Sequence, residues 1–327
     1  MRVIEKELDM NRREYLRHLI LSGFTFLFNP FQTMIHRFQN PVREIPRRVL
    51  GRTQEKVSIL GLGGFHLGQV SDEKEAFKMI HRAIDAGINF IDTAESYQNG
   101  GSEKRIGKAL RGYRQQVFLM TKTFEPTHRD AEGARRHLEG SLRRLQTDYL
   151  DLWQLHSIQS PEDVNRAFRE GGAMEYILKA KKEGKVRFIG VTGHRDPESH
   201  LRAIKYWDQG WQFDTMQMPI NPVDYHQLSF QRQVLPELVK RNIGVIAMKT
   251  SADGRLLREK LCTIQECLYY VWSLPVSLAV VGMRTWQEVY HNMELARNFQ
   301  PMKEVEQNKL LSRLKPHAQK SLEWYKR

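Results

Sequence analysis

From residue 57 to residue 283 the chain alternates short, continuously apolar runs with longer amphipathic ones, about eight times over. The apolar runs are VSILGLGG, INFIDTA, VFLMTKT, YLDLWQLH, VRFIGVTGH, FDTMQMPI, VIAMKT and LAVVGM. A strand that is apolar on both faces must be covered on both, so the pattern calls for a parallel sheet packed under helices. The intervening segments carry helix signals. EKEAFKMIHRAIDAG stops on Gly87, and SPEDVNRAFREGGAMEYILKAKKEG opens with Ser160 as N-cap and Pro161 at the first helical position. Periodicity alone fits both a closed barrel and an open doubly wound sheet. The first strand-turn segment, GLGGFHLG, lacks the G-x-G-x-x-G spacing of the open dinucleotide-binding sheet.

Length and composition limit the reading further. The patterned segments fill about 250 residues, a usual size for one barrel, and 40% hydrophobic with 27% charged residues is a globular balance. One barrel over residues 47–327, preceded by a targeting segment and linker over 1–46, is the economical division. The formal charge of +13 raises the question of nucleic acid, yet Arg and Lys are scattered over helices such as RRHLEGSLRRLQ without interleaved aromatics. Nucleic-acid binding is therefore not expected. Cys262 and Cys267 are the only cysteines, five apart in what reads as one helix, which predicts side chains on different faces and no disulfide framework. No metal motif is found, and none is expected at His66 and His194.

Four residue types with complementary acid-base chemistry close successive runs. Asp92 ends one apolar run, Tyr97 falls in the loop beyond it, Lys122 closes VFLMTK and His156 closes YLDLWQLH. In a parallel barrel the carboxyl ends of all strands gather on one face. A phenol of pKa about 10 transfers a proton poorly near neutrality, and an adjacent ammonium is predicted to pull that pKa down. Asp92 would hold Lys122, and His156 would orient a carbonyl while Tyr97 protonates its oxygen. Each residue alone has a plainer reading, as a solvated ion or a satisfied core histidine. Their joint order is what points to catalysis.

The segment DTAESYQNGGSEKRIGKAL resembles the aldo-keto reductase family, with Asp92 and Tyr97 followed by Ser102, Glu103, Ile106, Gly107 and Leu110. The likeness runs from RRVLGRTQEKVSILGLGG to VVGMRTWQEVYHN, most of the chain. It implies a (β/α)8 TIM barrel, an oxidoreductase that reduces an aldehyde or ketone with NADP(H), and a tetrad of Asp92, Tyr97, Lys122 and His156. It also implies cofactor positions at Gly64, Thr192, Gly193, Gln217, Met248, Gly282, Arg284, Thr285, Glu288 and Asn292. Thr192 and Gly193 replace the family's usual Ser-Asn, Met248 stands where an aromatic ring often stacks on the nicotinamide, and Glu288 replaces Gln. Arg284 would meet a 2'-phosphate as a planar cation, and Thr285 would cap a helix whose positive end favours phosphate. Phe65, His66 and Trp153 flank the strand ends and are expected to line the substrate pocket. Such a family likeness also admits a non-catalytic nucleotide-binding regulatory barrel, or an isomerase or lyase using the same four residues.

At the other end of the chain, MNRREYLR precedes the uncharged stretch HLILSGFTFLFNPFQTM. Asn11, Arg12, Arg13, Tyr15, Leu16 and Arg17 resemble a twin-arginine export signal, implying export machinery as a partner and a periplasmic or membrane-associated location. Asn29 and Pro30 break the apolar run short of a membrane span, and no A-x-A cleavage signal follows. The missing cleavage signal leaves an uncleaved anchor open as one outcome, and the acidic MRVIEKELD leaves the start open between Met1 and Met10. The alternative is a surface amphipathic helix on a cytoplasmic protein.

Overall fold

In a computed structural model, residues 43–123 and 129–326 are described, so the targeting segment read over residues 1–46 lies, up to residue 42, outside the described residues. The described chain begins with an antiparallel hairpin, β1 (Arg47–Val49) and β2 (Lys56–Ser58). Eight further strands form a closed parallel barrel: β3 (Leu60–Gly63), β4 (Phe90–Asp92), β5 (Phe118–Thr123), β6 (Leu150–Ile158), β7 (Val186–Gly193), β8 (Thr215–Pro219), β9 (Gly244–Met248) and β10 (Leu278–Gly282). Pairing of β10 with β3 closes the ring, which makes this a (β/α)8 barrel and removes the open-sheet alternative.

The hairpin was not anticipated. VSILGLGG divides at Ile59, because Ser58 donates through its hydroxyl to Leu60 O (2.8 Å) and through its backbone to Asn89 Oδ1 (2.8 Å). Those bonds turn the chain before the barrel strand starts. Leu50 and Val57 then pack with Phe90, Phe118, Leu152, Ile246 and Leu278 as one apolar plug inside the barrel.

Strand alternation decides what reaches the site. Phe118, Met120 and Lys122 of β5 share one face, as do Leu152, Gln154 and His156 of β6. Phe118, Met120 and Leu152 belong to the inner plug, while Leu119, Trp153 and Leu155 belong to the layer between barrel and helices. Each strand thus runs from apolar interior positions to polar ones at its carboxyl end. Gly190 makes room for this change, since a Cβ there would lie 2.2 Å from Thr215 Oγ1 and 3.0 Å from Gln154 Nε2.

The helices follow their sequence signals. Helix α1 (Glu73–Asp85) starts on Asp72, whose side chain accepts from Lys74 N, and buries Ala76, Met79, Ile80, Ala83 and Ile84 at helical spacing. Burial of each larger side chain contributes roughly 1.5–3 kcal/mol. Helix α2 (Gly101–Ala109) follows Tyr97, and α3 (Ala131–Leu145) is capped by Asp130. The long segment opened by Ser160 forms two helices rather than one, α4 (Pro161–Phe168) and α5 (Ala173–Lys182). Gly171, at φ +70°, makes the break between them. Three more helices enter below: α6 (Ile264–Trp272), α7 (Trp286–Arg297) and α8 (Glu304–Leu314). No helix among the described residues is long and apolar enough to cross a membrane.

Candidate active site

Asp92, Lys122, Tyr97 and His156 converge at the carboxyl end of the barrel. Lys122 Nζ donates to Asp92 Oδ1, to Thr93 O (2.9 Å) and to the Tyr97 hydroxyl (3.4 Å). Tyr97 presents its ring to His156 at 5.9 Å, nearly edge-on, and Phe65 packs on the other side of the phenol at 5.2 Å. Asp92 and Lys122 are buried, so their ion pair is shielded from water and demands these further partners.

Electrostatics at the junction depart from the sequence expectation in one respect. Burial pushes the Tyr97 phenol above its usual pKa, and the nearby Lys122 ammonium offsets only part of that. Desolvation was invisible in the sequence and outweighs the neighbouring charge. For Lys122 burial favours the neutral amine, yet Asp92 and Tyr97 outweigh it and the ammonium is held above its usual range. Burial drives His156 well below the usual histidine pKa, helped by the positive charge of Lys122. The site therefore holds a protonated phenol, a charged lysine and a neutral imidazole at neutral pH.

The backbone around these groups is strained. Gln98 and Asn99 after Tyr97, Ser157 after His156 and Lys249 after Met248 all have positive φ, between 49° and 54°, an uncommon conformation for residues with a Cβ. At Ser157 the strain is held by Arg129. Its guanidinium donates to His156 O (2.7 Å) and Ser157 O (2.8 Å) and forms a two-pronged pair with Asp163 at 2.9 and 2.8 Å. Arg129 was missed in the sequence, where HRDAEG offers no signal for it.

The DTAESY…SEKRIG segment explains itself as a clamp behind the site. Ser102 Oγ donates to Gly64 O (2.9 Å), and buried Glu103 accepts from Thr121 Oγ1 (2.6 Å) and Arg144 Nε (2.6 Å). A Cβ on Gly107 would sit 2.6 Å from Arg144 O. These contacts fix α2 against α3 and the ends of β3 and β5.

The residues expected to hold a cofactor lie along one side of the same mouth. Thr192 and Gln217 are register neighbours on β7 and β8, and Met248 ends β9, half-buried. Gly193 faces outward, where a Cβ would meet Ile158 Cγ1 at 2.7 Å, so packing alone excludes an Asn there. Gly64 lies under Asp92 O, at 2.4 Å from its would-be Cβ, and Gly282 lies under His66, whose Nδ1 is 1.9 Å from such an atom. Thr285 caps α7 and Asn292 is buried within it. Arg284 is exposed, its side chain 3.5 Å from Gln69 Oε1. The Glu288 carboxylate accepts from Arg284 N (2.6 Å) and Thr285 N (3.3 Å), the two backbone donors just ahead of the helix, and so closes a capping box with Thr285.

Gln217 tests whether a nicotinamide fits. Its Nε2 is committed to Asp92 Oδ2 at 2.8 Å, and its Oε1 is buried with no partner among the described residues. A buried acceptor of this kind calls for a donor, and a carboxamide supplies one. A separate concavity of about 570 Å³ opens at the hairpin end, between Arg47, Asn89, Asp151 and Arg187, and holds none of these groups.

Two flanking expectations separate. Phe65 is exposed and His66 half-buried at the mouth, His66 held below its usual pKa by burial and then Arg284. Trp153 does not line it. The ring is fully buried outside the barrel, edge-on to Tyr176 of α5 at 6.3 Å. Residues near the chain's end also reach this side of the fold. Tyr325 stands edge-on to His194 at 6.0 Å, and Lys326 pairs with Glu323 (2.7 Å) and Asp224 in a buried cluster.

Comparison with known proteins assigns the family. The family model described as Aldo/keto reductase family covers residues 59–267. The chain belongs to that family. It is 34% identical over 225 residues to the uncharacterized oxidoreductase YrpG of Bacillus subtilis, across 63% of this chain and 67% of that one. Among solved structures, the holo form of aldo-keto reductase AKR11C1 from Bacillus halodurans superposes with a TM-score of 0.69 at 26% identity, covering 83% of this chain and 96% of its own. An aldo/keto reductase from Klebsiella pneumoniae, solved in complex with NADP and acetate, gives a TM-score of 0.68 at 27% identity, over 82% and 95%.

Proposed function

We propose that this barrel is an NADP(H)-dependent reductase that converts an aldehyde or ketone to an alcohol, with Tyr97 as proton donor. The observation that carries this reading is the buried junction in which Lys122 bonds both Asp92 and Tyr97 while His156 faces the same phenol. Gln217 and Thr192 would hold the nicotinamide carboxamide, with Met248 against the ring. Arg284, Thr285 and Asn292 would hold the adenosine and its 2'-phosphate; NADP as the cofactor is supported by the Klebsiella relative solved with it. The bound cofactor supplies a hydride.

The residues of the chain handle the proton. Because burial keeps the phenol protonated through neutral pH, Tyr97 acts as an acid rather than as a base. As its proton passes to the carbonyl oxygen, the Lys122 ammonium stabilises the phenolate left behind. Thr93 O and Asp92 keep that ammonium in place. His156, held neutral, offers a ring N–H to the carbonyl oxygen and orients it toward Tyr97.

The test is NADPH consumption with a panel of small aldehydes and ketones. Tyr97→Phe is expected to keep NADPH affinity, read by fluorescence titration, while turnover falls about 10²- to 10⁴-fold, the usual worth of a positioned proton donor. Turnover at the unmodified rate would remove Tyr97 from that role.

A further inference from the structure

Cys262 and Cys267 do not share one helix as the sequence suggested. Helix α6 starts on Thr263, whose side chain accepts from Glu266 N while the Glu266 carboxylate accepts from Thr263 N. Cys262 therefore lies one residue outside the helix and Cys267 at its fourth position. Side chains at those two places meet across a helix start, usually as an apolar staple. Here both places are held by buried thiols. From α8, Arg313 brings its guanidinium to 3.9 Å from Cys262 Sγ and pairs with Glu266 at 2.6 Å.

We propose that Cys262 and Cys267 form a reversible, peroxide-sensitive dithiol, with Cys262 as the attacking sulfur and Cys267 as the resolving one. The assignment of roles rests on three asymmetries. Cys262 keeps 7% of its surface exposed and Cys267 none, so a small oxidant reaches Cys262 first. The Arg313 guanidinium reaches the Cys262 sulfur directly, a contact that favours its thiolate against the opposing Glu266 carboxylate. Beside Cys267 the Cys262 thiol is lowered from its usual pKa, while its neighbour and burial push Cys267 up.

The chemistry balances with hydrogen peroxide as oxidant. The Cys262 thiolate attacks one peroxide oxygen, the O–O bond breaks, and the departing hydroxide takes a proton to become water. Cys262 is now a sulfenic acid, its sulfur oxidised by two electrons. Cys267 then loses its proton and attacks that sulfur; the S–O bond breaks and a second water leaves. Two thiols and one peroxide give one disulfide and two waters, and an external dithiol reverses the change by exchange. The product bond, about 2.05 Å long, replaces a soft contact with a covalent one. It ties the loop after Met248 to the first turn of α6.

The experiment treats the full chain, with NADPH absent, with hydrogen peroxide in small excess. Free thiols are counted by a chromogenic disulfide, and peptides are mapped without reduction. Both thiols should disappear together, an intrachain Cys262–Cys267 crosslink should appear, and dithiothreitol should restore both. Cys267→Ser should stop at a sulfenic acid on Cys262 that dimedone traps, whereas Cys262→Ser should leave Cys267 unoxidised at the same dose. Two thiols that stay titratable, or that oxidise independently or only between chains, would overturn the assignment. The thiol count and peptide map need no variant, so a substitution that fails to fold does not block the test.

Discussion

Gln217 and Lys122 share one carboxylate: Gln217 Nε2 donates to Asp92 Oδ2 at 2.8 Å, and Lys122 takes Oδ1. One amide thereby joins the proposed carboxamide grip to the group that anchors the lysine. The geometry also fixes which way the amide points, because only its nitrogen can face Asp92.

Removal of that amide should consequently be felt on both sides. Gln217→Ala is expected to weaken NADPH binding roughly tenfold, the worth of one hydrogen bond of about 1.4 kcal/mol, and to lower turnover as well. Gln217→Glu should do worse, since it adds a second carboxylate beside buried Asp92. Fluorescence titration with NADPH alongside steady-state kinetics measures both effects; a loss confined to turnover would place Gln217 outside the cofactor site.

Cofactor choice depends on charge at the start of α7. Arg284→Glu should reduce NADPH affinity roughly 10- to 100-fold, as expected for losing one charge-assisted contact of about 1.5–3 kcal/mol, with little change for NADH. Parallel titrations with the two cofactors decide it. Equal losses would mean that Arg284 does not read the 2'-phosphate.

Arg129→Met should destabilise the barrel by roughly 3 kcal/mol, because buried Asp163 loses its two-pronged partner and keeps only the half-exposed Arg166 at 3.1 Å. A double variant, Arg129→Met with Asp163→Leu, should recover much of that stability in urea unfolding. Turnover should stay low in both, since neither restores the donors that hold His156 O and Ser157 O. Full activity in the double variant would show that Arg129 serves stability alone.

We further propose that Arg12 and Arg13 direct export. A lysine pair keeps the charge but not the guanidinium geometry. Changing both to Lys should strand the protein in the cytoplasm while leaving its carbonyl reduction intact. Cell fractionation with an activity assay checks this, and a cytoplasmic location for the unchanged chain would end the export reading.

The strand ends were legible because a parallel barrel makes position along a strand equivalent to depth. Asp92, Lys122 and His156 each follow inward apolar residues at period two, so their side chains had to meet at one mouth. The same rule was available for Trp153. It stands three residues before His156 and so faces the opposite way, toward α5. Tyr97 shows the limit: the sequence reveals its lysine neighbour but not the burial that raises its pKa. The β1–β2 hairpin was missed because three-residue strands carry too little pattern to register. The cysteine pair was misplaced for a different reason, since the T-x-x-E signature at Thr263 already marked the helix start between them.

The ring closes between Leu60–Gly63 and Leu278–Gly282, segments more than two hundred positions apart in the chain. During synthesis the early strands emerge with one edge unpaired, and they stay so until the ribosome has made the last barrel strand. An unpaired edge is a template for other chains, and such distant pairing slows folding. A newborn molecule of this protein is thus most exposed to aggregation in the interval before β10 appears, which is when a chaperone would matter most.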